Sequence, residues 1–191
     1  MNNYEYIIAS LPVPGKDAGK LDAEALLTEI RSQCSESDNA LIDMLLGSFE
    51  ANRLDSDFYS SAWHSHNGFL RDYLLFDLKV RNAKVEYLNS ALKRPEGQDL
   101  MPIPDGADAS FDEKSEVDTV LAGKDILARE RGLDDIMWAK ADELVQMHIF
   151  DVDIILAFIA KLKIADRWNK LDPESGREMF RRLVQEIRNT R

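Results

Sequence analysis

NGFLRDYLLFDLKVRNAKVEYLNSAL, residues 67–92, decides the fold class. Phe69, Tyr73, Phe76, Val80, Ala83 and Tyr87 recur at spacings of 4, 3, 4, 3 and 4, which is one stripe of a long helix. Leu70, Leu74, Leu78, Leu88 and Leu92 widen the stripe. The pattern predicts a helix from about Asn67 to Leu92, buried against at least two neighbours.

Upstream, the opening segment carries Tyr4, Tyr6, Ile7, Ile8 and Leu11, too short a set to type as helix or strand. Pro12, Pro14 and Gly15 then break regular structure. Asp22 is placed to cap a helix through about Ser32, with Leu26, Leu27 and Ile30 on one side. Ser37 or Asp38 is placed to cap the next, with Leu41, Ile42, Leu45, Leu46 and Phe49. Gly47 and the polar run Asn52 to Ser56 weaken its end.

Downstream, residues 95–118 hold three prolines, two glycines and eight acids and keep no period, so they read as a long loop or partly disordered linker. Asp118 then opens a helix to about Glu130, which Gly132 interrupts. Asp134 starts another, with Met137, Ala141, Leu144 and His148 in register. Asp151 or Asp153 opens a third, bearing Ile155, Phe158, Leu162, Ala165 and Trp168. Asp172, Pro173 and Glu174 give a last start signal before Phe180, Leu183, Val184 and Ile187. No β-hairpin signal separates alternating runs. The expectation is an all-α helical bundle of six to seven helices. Its units are residues 1–94, the acidic loop 95–118 and residues 119–191, packed together as one domain. Residues 74–83 also echo residues 158–167, with Leu78-Lys79-Val80 over Leu162-Lys163-Ile164, as two similar lobes would.

The chain's 191 residues are enough for a core without disulfides or metals. Net charge is −11, which repels phosphate backbones and argues against a nucleic-acid partner. The charge is unevenly spread: residues 71–94 are net +3 and residues 161–191 net +4, against −7 in each of 1–70 and 95–118. Cys34 is the single cysteine, so no intrachain disulfide forms, and a cytoplasmic location is expected. The start MNNYEYIIASLPVPGKD lacks the basic region of a signal peptide. The longest apolar run, Ile154 to Ala160, is too short to span a bilayer, so a soluble protein is expected that meets membranes only indirectly.

Catalytic and cofactor signatures are missing. There is no GxxxxGK[ST], GxGxxG or GxSxG, and one cysteine excludes Cys-rich zinc sites. His64 and His66 would share a metal only on a strand, since residues two apart diverge on a helix. A metal-dependent hydrolase built on them with a nearby acid is the weakest of the functional readings. His148 reads as a core or edge histidine, and Asp134, Asp135, Asp151 and Asp153 as helix N-terminal acids. Asp77 and Arg81 read as an i,i+4 ion pair that fixes a neighbour's packing if half buried. The expectation is no enzyme, no cofactor and no metal.

Two segments, NGFLRDYLLFDLKVRNAKVEYLN at 67–89 and HIFDVDIILAFIAKLKIADRWNKLDPESGREMFRRLV at 148–184, carry a resemblance, together with the opening YEYIIASLP. They resemble a small bacterial family encoded in V-type ATPase operons. More distantly they are similar to the C subunit of V/A-type ATPases, known in eukaryotes as the d subunit. The matching elements are Asp77, Arg81 and Asn82 in the first segment, and Ile155, Ala157, Phe158 and Lys161 in the second. The C subunit is longer, with three helical lobes around a funnel, where this chain has room for about two. The resemblance implies a non-catalytic component that couples or assembles the central stalk with the membrane rotor ring. Its partners would be other V-type ATPase components, and it would sit at the inner membrane through the complex. Docking on acidic partners would use the basic segments, through Arg71, Lys79, Arg81, Lys84, Lys161, Lys163, Arg167, Arg181 and Arg182, with Asp77, Phe158 and Trp168 structural. The alternative is a free-standing helical adaptor that binds another protein through the apolar stripe from Phe69 to Leu92.

Overall fold

A computed structural model describes residues 4–13 and 21–171. The expected helix after Asp172, with Arg181 and Arg182, lies outside the described residues. Among the described residues there are eight α-helices and no strand, so the chain is an all-α bundle. They are α1 (Glu5–Ser10), α2 (Ala23–Gln33), α3 (Glu36–Gly47), α4 (Ser56–Trp63), α5 (Gly68–Leu92), α6 (Lys114–Leu121), α7 (Ile126–Leu144) and α8 (Val152–Asn169).

Side-chain caps set most of the starts. Asp22 accepts from the Ala25 N–H at 3.0 Å, Asn67 from Leu70 at 2.8 Å, and Asp151 from Ile154 at 3.4 Å. Such caps each contribute about 1 kcal/mol. The cap of α3 is Ser35, two or three residues before the expected one, because its hydroxyl takes the Asp38 N–H at 3.1 Å. Helix α4 starts on the last residue of the polar run Asn52 to Ser56, and Asp55 caps it through the Phe58 N–H at 2.8 Å.

Helix α5 is the hub. It packs against α3, α4, α6, α7 and α8. Phe69, Leu70, Tyr73, Leu74, Phe76, Leu78, Val80 and Ala83 are all buried. The stripe is therefore covered by the chain's own helices over most of its length. Leu88 and Leu92 are exceptions, exposed at 46% and 60%. Helix α8 is the second hub, packing on α2, α3, α5 and α7, with Ile155 to Ala160 buried. One core runs from Tyr4 to Ala165, so the two echoing segments share it.

The expected helix break is corrected. Gly132 does not break a helix; it lies inside α7. A Cβ there would stand 2.6 Å from Val120 Cγ1, so the missing side chain lets α6 seat against α7. The break comes earlier, between α6 and α7, where Asp125 caps α7 through the Leu127 N–H at 2.8 Å. Asp134 is therefore in mid-helix, and His148 lies beyond the helix end.

Residues 95–113 form a long loop, one of the two readings offered for the acidic stretch, and it is tied down along its length. Asn82 Nδ2 donates to the Met101 carbonyl at 2.8 Å, and Asn82 Oδ1 accepts from the Met101 N–H at 3.0 Å. The buried Asn89 donates to the Gln98 carbonyl at 2.7 Å, and Phe111 meets Phe76 edge-on with ring centroids 5.6 Å apart. Residues from Lys114 onward are helical. Side chains of α5 thus supply the partners that the irregular backbone needs.

Candidate functional site

A cleft of about 390 Å³ opens between α5, α7, α8 and the turn after α3. It brings together two carboxylates with matching surroundings. Asp77 Oδ2 accepts from the Tyr59 hydroxyl at 2.6 Å and from Arg81 Nε at 2.7 Å. Arg81 also donates to the Ser48 carbonyl at 3.3 Å, which ties α5 to the end of α3 as well as to α4. Across the cleft, Asp134 Oδ2 accepts from Trp168 Nε1 at 2.6 Å and from the Arg167 guanidinium. Each carboxylate therefore has one permanent cation and one aromatic donor, one set joining α4 to α5 and the other α7 to α8.

Tyr73 lines the same cleft and is 2% exposed. Its ring stacks on Phe69 at 5.3 Å. Burial, then the charges of Asp77 and Asp134, push its phenol pKa well above the ordinary value. It stays a neutral hydroxyl. Lys163 and Asp166 complete the charged lining, and Asp166 is paired with Lys170 at 2.7 Å. Phe49, Leu54, Met137 and Ile164 supply the apolar part.

Of the expected docking cations, Arg81, Lys163 and Arg167 meet in this cleft. The other described ones, Arg71, Lys79, Lys84 and Lys161, are spread over the bundle and held by partners of their own. Arg71 pairs with Asp72 at 3.1 Å and lies over the Trp63 ring at 5.7 Å. Lys79 donates to the Ser110 carbonyl at 2.6 Å, and Lys84 pairs with Glu130. Lys161 pairs with Asp142 at 2.6 Å and sits over the Trp138 ring. Of the expected structural residues, Asp77 and Trp168 form the two sides of the cleft, while Phe158 is in the core. Arg131 stacks on the outer side of Trp168, 5.0 Å from its centroid.

Asp134 was missed by sequence reasoning as a cleft residue. The signal was present: Asp134, Met137 and Ala141 fall at i, i+3 and i+7, so the carboxylate shares the apolar face. Tyr59 and Tyr73 had no such signal, since their roles depend on which helices meet.

A second constellation stands at the start of α8. His148 Nδ1 lies 2.6 Å from Asp151 Oδ2 and 3.5 Å from Asp153 Oδ2. Each carboxylate spends its other oxygen on the fold: Asp151 Oδ1 caps Ile154, and Asp153 Oδ1 accepts from Asn67 Nδ2 at 2.5 Å. The three ligand-type atoms lie within 4.8 Å of one another. His64 and His66 take no part in this set; His64 Nδ1 meets the Ser60 carbonyl at 2.8 Å.

A family described as "protein of unknown function (DUF2764)" matches residues 106–190. That stretch includes α6, α7 and α8, and with them Asp134, Lys163 and Arg167 of the cleft. No curated protein and no solved structure matches the chain. Among the described residues no helix is long and apolar enough to cross a membrane.

Proposed function

We propose that the protein is a non-catalytic component of a bacterial V-type ATPase, akin to the C subunit of such enzymes. It couples or assembles the central stalk with the membrane rotor, and lies at the inner membrane through that complex. The observation that carries the reading is the position of the two resembling segments. They are α5 and α8, the two hubs of the bundle, and between them they supply Asp77, Arg81, Lys163 and Arg167 to one cleft.

The physics of the bundle suits the role. A part that transmits torque or holds its neighbours in register needs stiffness, and charged contacts that steer docking. Helix α5 runs 25 residues and is braced along its length by five other helices. The hydrogen bonds of the cleft fix α4 to α5 on one side and α7 to α8 on the other.

The test is a pulldown of a tagged full-length chain from the native bacterium under mild detergent. The A and B subunits and the rotor-ring protein are expected in the eluate. Their absence, with the chain itself recovered folded, would remove the reading.

A further inference from the structure

Among the described residues, two donors in the cleft lack partners. Tyr73 is more than nine-tenths buried and lines the cleft, yet its hydroxyl has no hydrogen bond among those residues. Lys163 is half-buried on the same lining and has no ion-pair or hydrogen-bond partner there. Asn39 Oδ1 is the buried side-chain polar atom without a partner among the described residues, so the Tyr73 oxygen is open to the cleft, and an acceptor that enters finds an unbonded phenol and an unpaired ammonium on one lining.

Charge decides which acceptor. The three carboxylates of the lining each have a cation of their own: Asp77 has Arg81, Asp134 has Arg167, and Asp166 has Lys170. Lys163 is the surplus charge, a single positive unit. A monoanion satisfies it. A phosphate dianion would bring a second negative charge beside three carboxylates, which the lining does not compensate. The Tyr73 phenol, held protonated, donates to an oxygen and cannot accept a metal in that form. Phe49, 37% exposed, and Leu54 line the same cleft and offer apolar contact to whatever carries the anion.

We propose that the cleft receives a carboxylate side chain, Asp or Glu, from a partner protein, with Tyr73 Oη and Lys163 Nζ as its donors. About 390 Å³ holds one or two side chains, at the small end of ligand sites. The pocket would serve a partner inside or outside a V-type ATPase, so the pulldown above and the titration below fail independently.

The experiment is an NMR titration of full-length protein labelled with ¹³C at Tyr Cζ and Lys Cε. The probes are the blocked peptides acetyl-Ala-Glu-Ala-amide and acetyl-Ala-Gln-Ala-amide, free glutarate and inorganic phosphate. Saturable shifts of Tyr73 and Lys163 are expected with the Glu peptide. The Gln peptide should bind at least about fivefold more weakly, the scale of one charge-assisted hydrogen bond. Tyr73→Phe removes only a hydroxyl without a partner, so the variant folds, and the Glu peptide should bind it about fivefold more weakly. Lys163→Gln should weaken it by a similar factor. No saturable shift, or a shift that survives both substitutions, overturns the proposal. Tighter binding of phosphate overturns the choice of carboxylate, and tighter binding of glutarate overturns the choice of a protein side chain.

Discussion

The cleft and the start of α8 solve one problem in opposite ways. Both gather two aspartates inside a helical bundle. In the cleft, Asp77 and Asp134 each have an arginine and an aromatic donor. Arginine stays charged at every physiological pH, so that arrangement is fixed. At the start of α8, Asp151 and Asp153 share His148, and Asp153 adds only the neutral amide of Asn67. Burial, then the like charge of Asp151, raises the Asp153 pKa above its ordinary 3.8. One site gives each carboxylate a cation of its own; the other leaves Asp153 under-compensated, with its pKa raised.

The contrast breaks most readily at Asp134. Asp134→Ala strands the Trp168 indole N–H and the Arg167 guanidinium around a site that is 8% exposed. A loss of about 3 kcal/mol is expected, below the top of the range for a broken buried pair because Arg167 is half exposed. Urea unfolding followed by circular dichroism measures it. A loss under about 1 kcal/mol would mean that the pair contributes position without stability. Next in size is Gly132→Ala, two residues away on α7. The added Cβ meets Val120 at 2.6 Å and forces α6 outward, at about 2 kcal/mol. In ordinary exposed helix the same change stabilises, so the sign of the measured effect tests the close approach directly. Tyr59→Phe is smaller. It removes one hydrogen bond to Asp77 while Arg81 remains, so about 1 kcal/mol is expected by the same unfolding assay.

The two sides of the cleft were not equally legible. Asp77 and Arg81 were visible as a pair because one turn of helix separates them, and α5 itself follows from its stripe. Asp134 was hidden by Gly132. A glycine serves a break and a close approach equally well, and only the Val120 side chain above it distinguishes the two. Reading a break there turned a buried mid-helix carboxylate into an N-terminal acid. The basic residues were visible as charges, but their partners were not. Lys79 meets a carbonyl 31 residues away and Lys84 a carboxylate 46 residues away, distances over which sequence pattern carries no contact information. The acidic stretch reads as a loop, which it is up to Glu113, but its anchoring was hidden for a related reason. Its prolines and charge resemble a linker, while what orders it, Asn82 and Asn89, lies on α5.

The smallest effect sharpens the comparison most, because it has the opposite sign. Between pH 3.8 and the raised value of Asp153, the folded chain holds a proton there that the unfolded chain has released. The folded state binds more protons in that window, so this residue's contribution makes stability fall as pH rises through it. Burial, Asp151 and Asp38 push the carboxylate toward its neutral form, while His148 and the Asn67 hydrogen bond oppose them. Asp153→Asn substitutes a neutral group whose Oδ1 still accepts from Asn67 Nδ2. At neutral pH the variant should match or exceed the parent, by less than about 1 kcal/mol, and its stability should fall less steeply above pH 3.8. Paired urea titrations at several pH values read both quantities. Asp134→Asn, run beside it, should instead lose stability at neutral pH, since Arg167 then has no anion to meet. Were both Asn variants to lose stability alike, the carboxylate at the start of α8 would be as well compensated as the one in the cleft, with His148 supplying the charge that the arginines supply there.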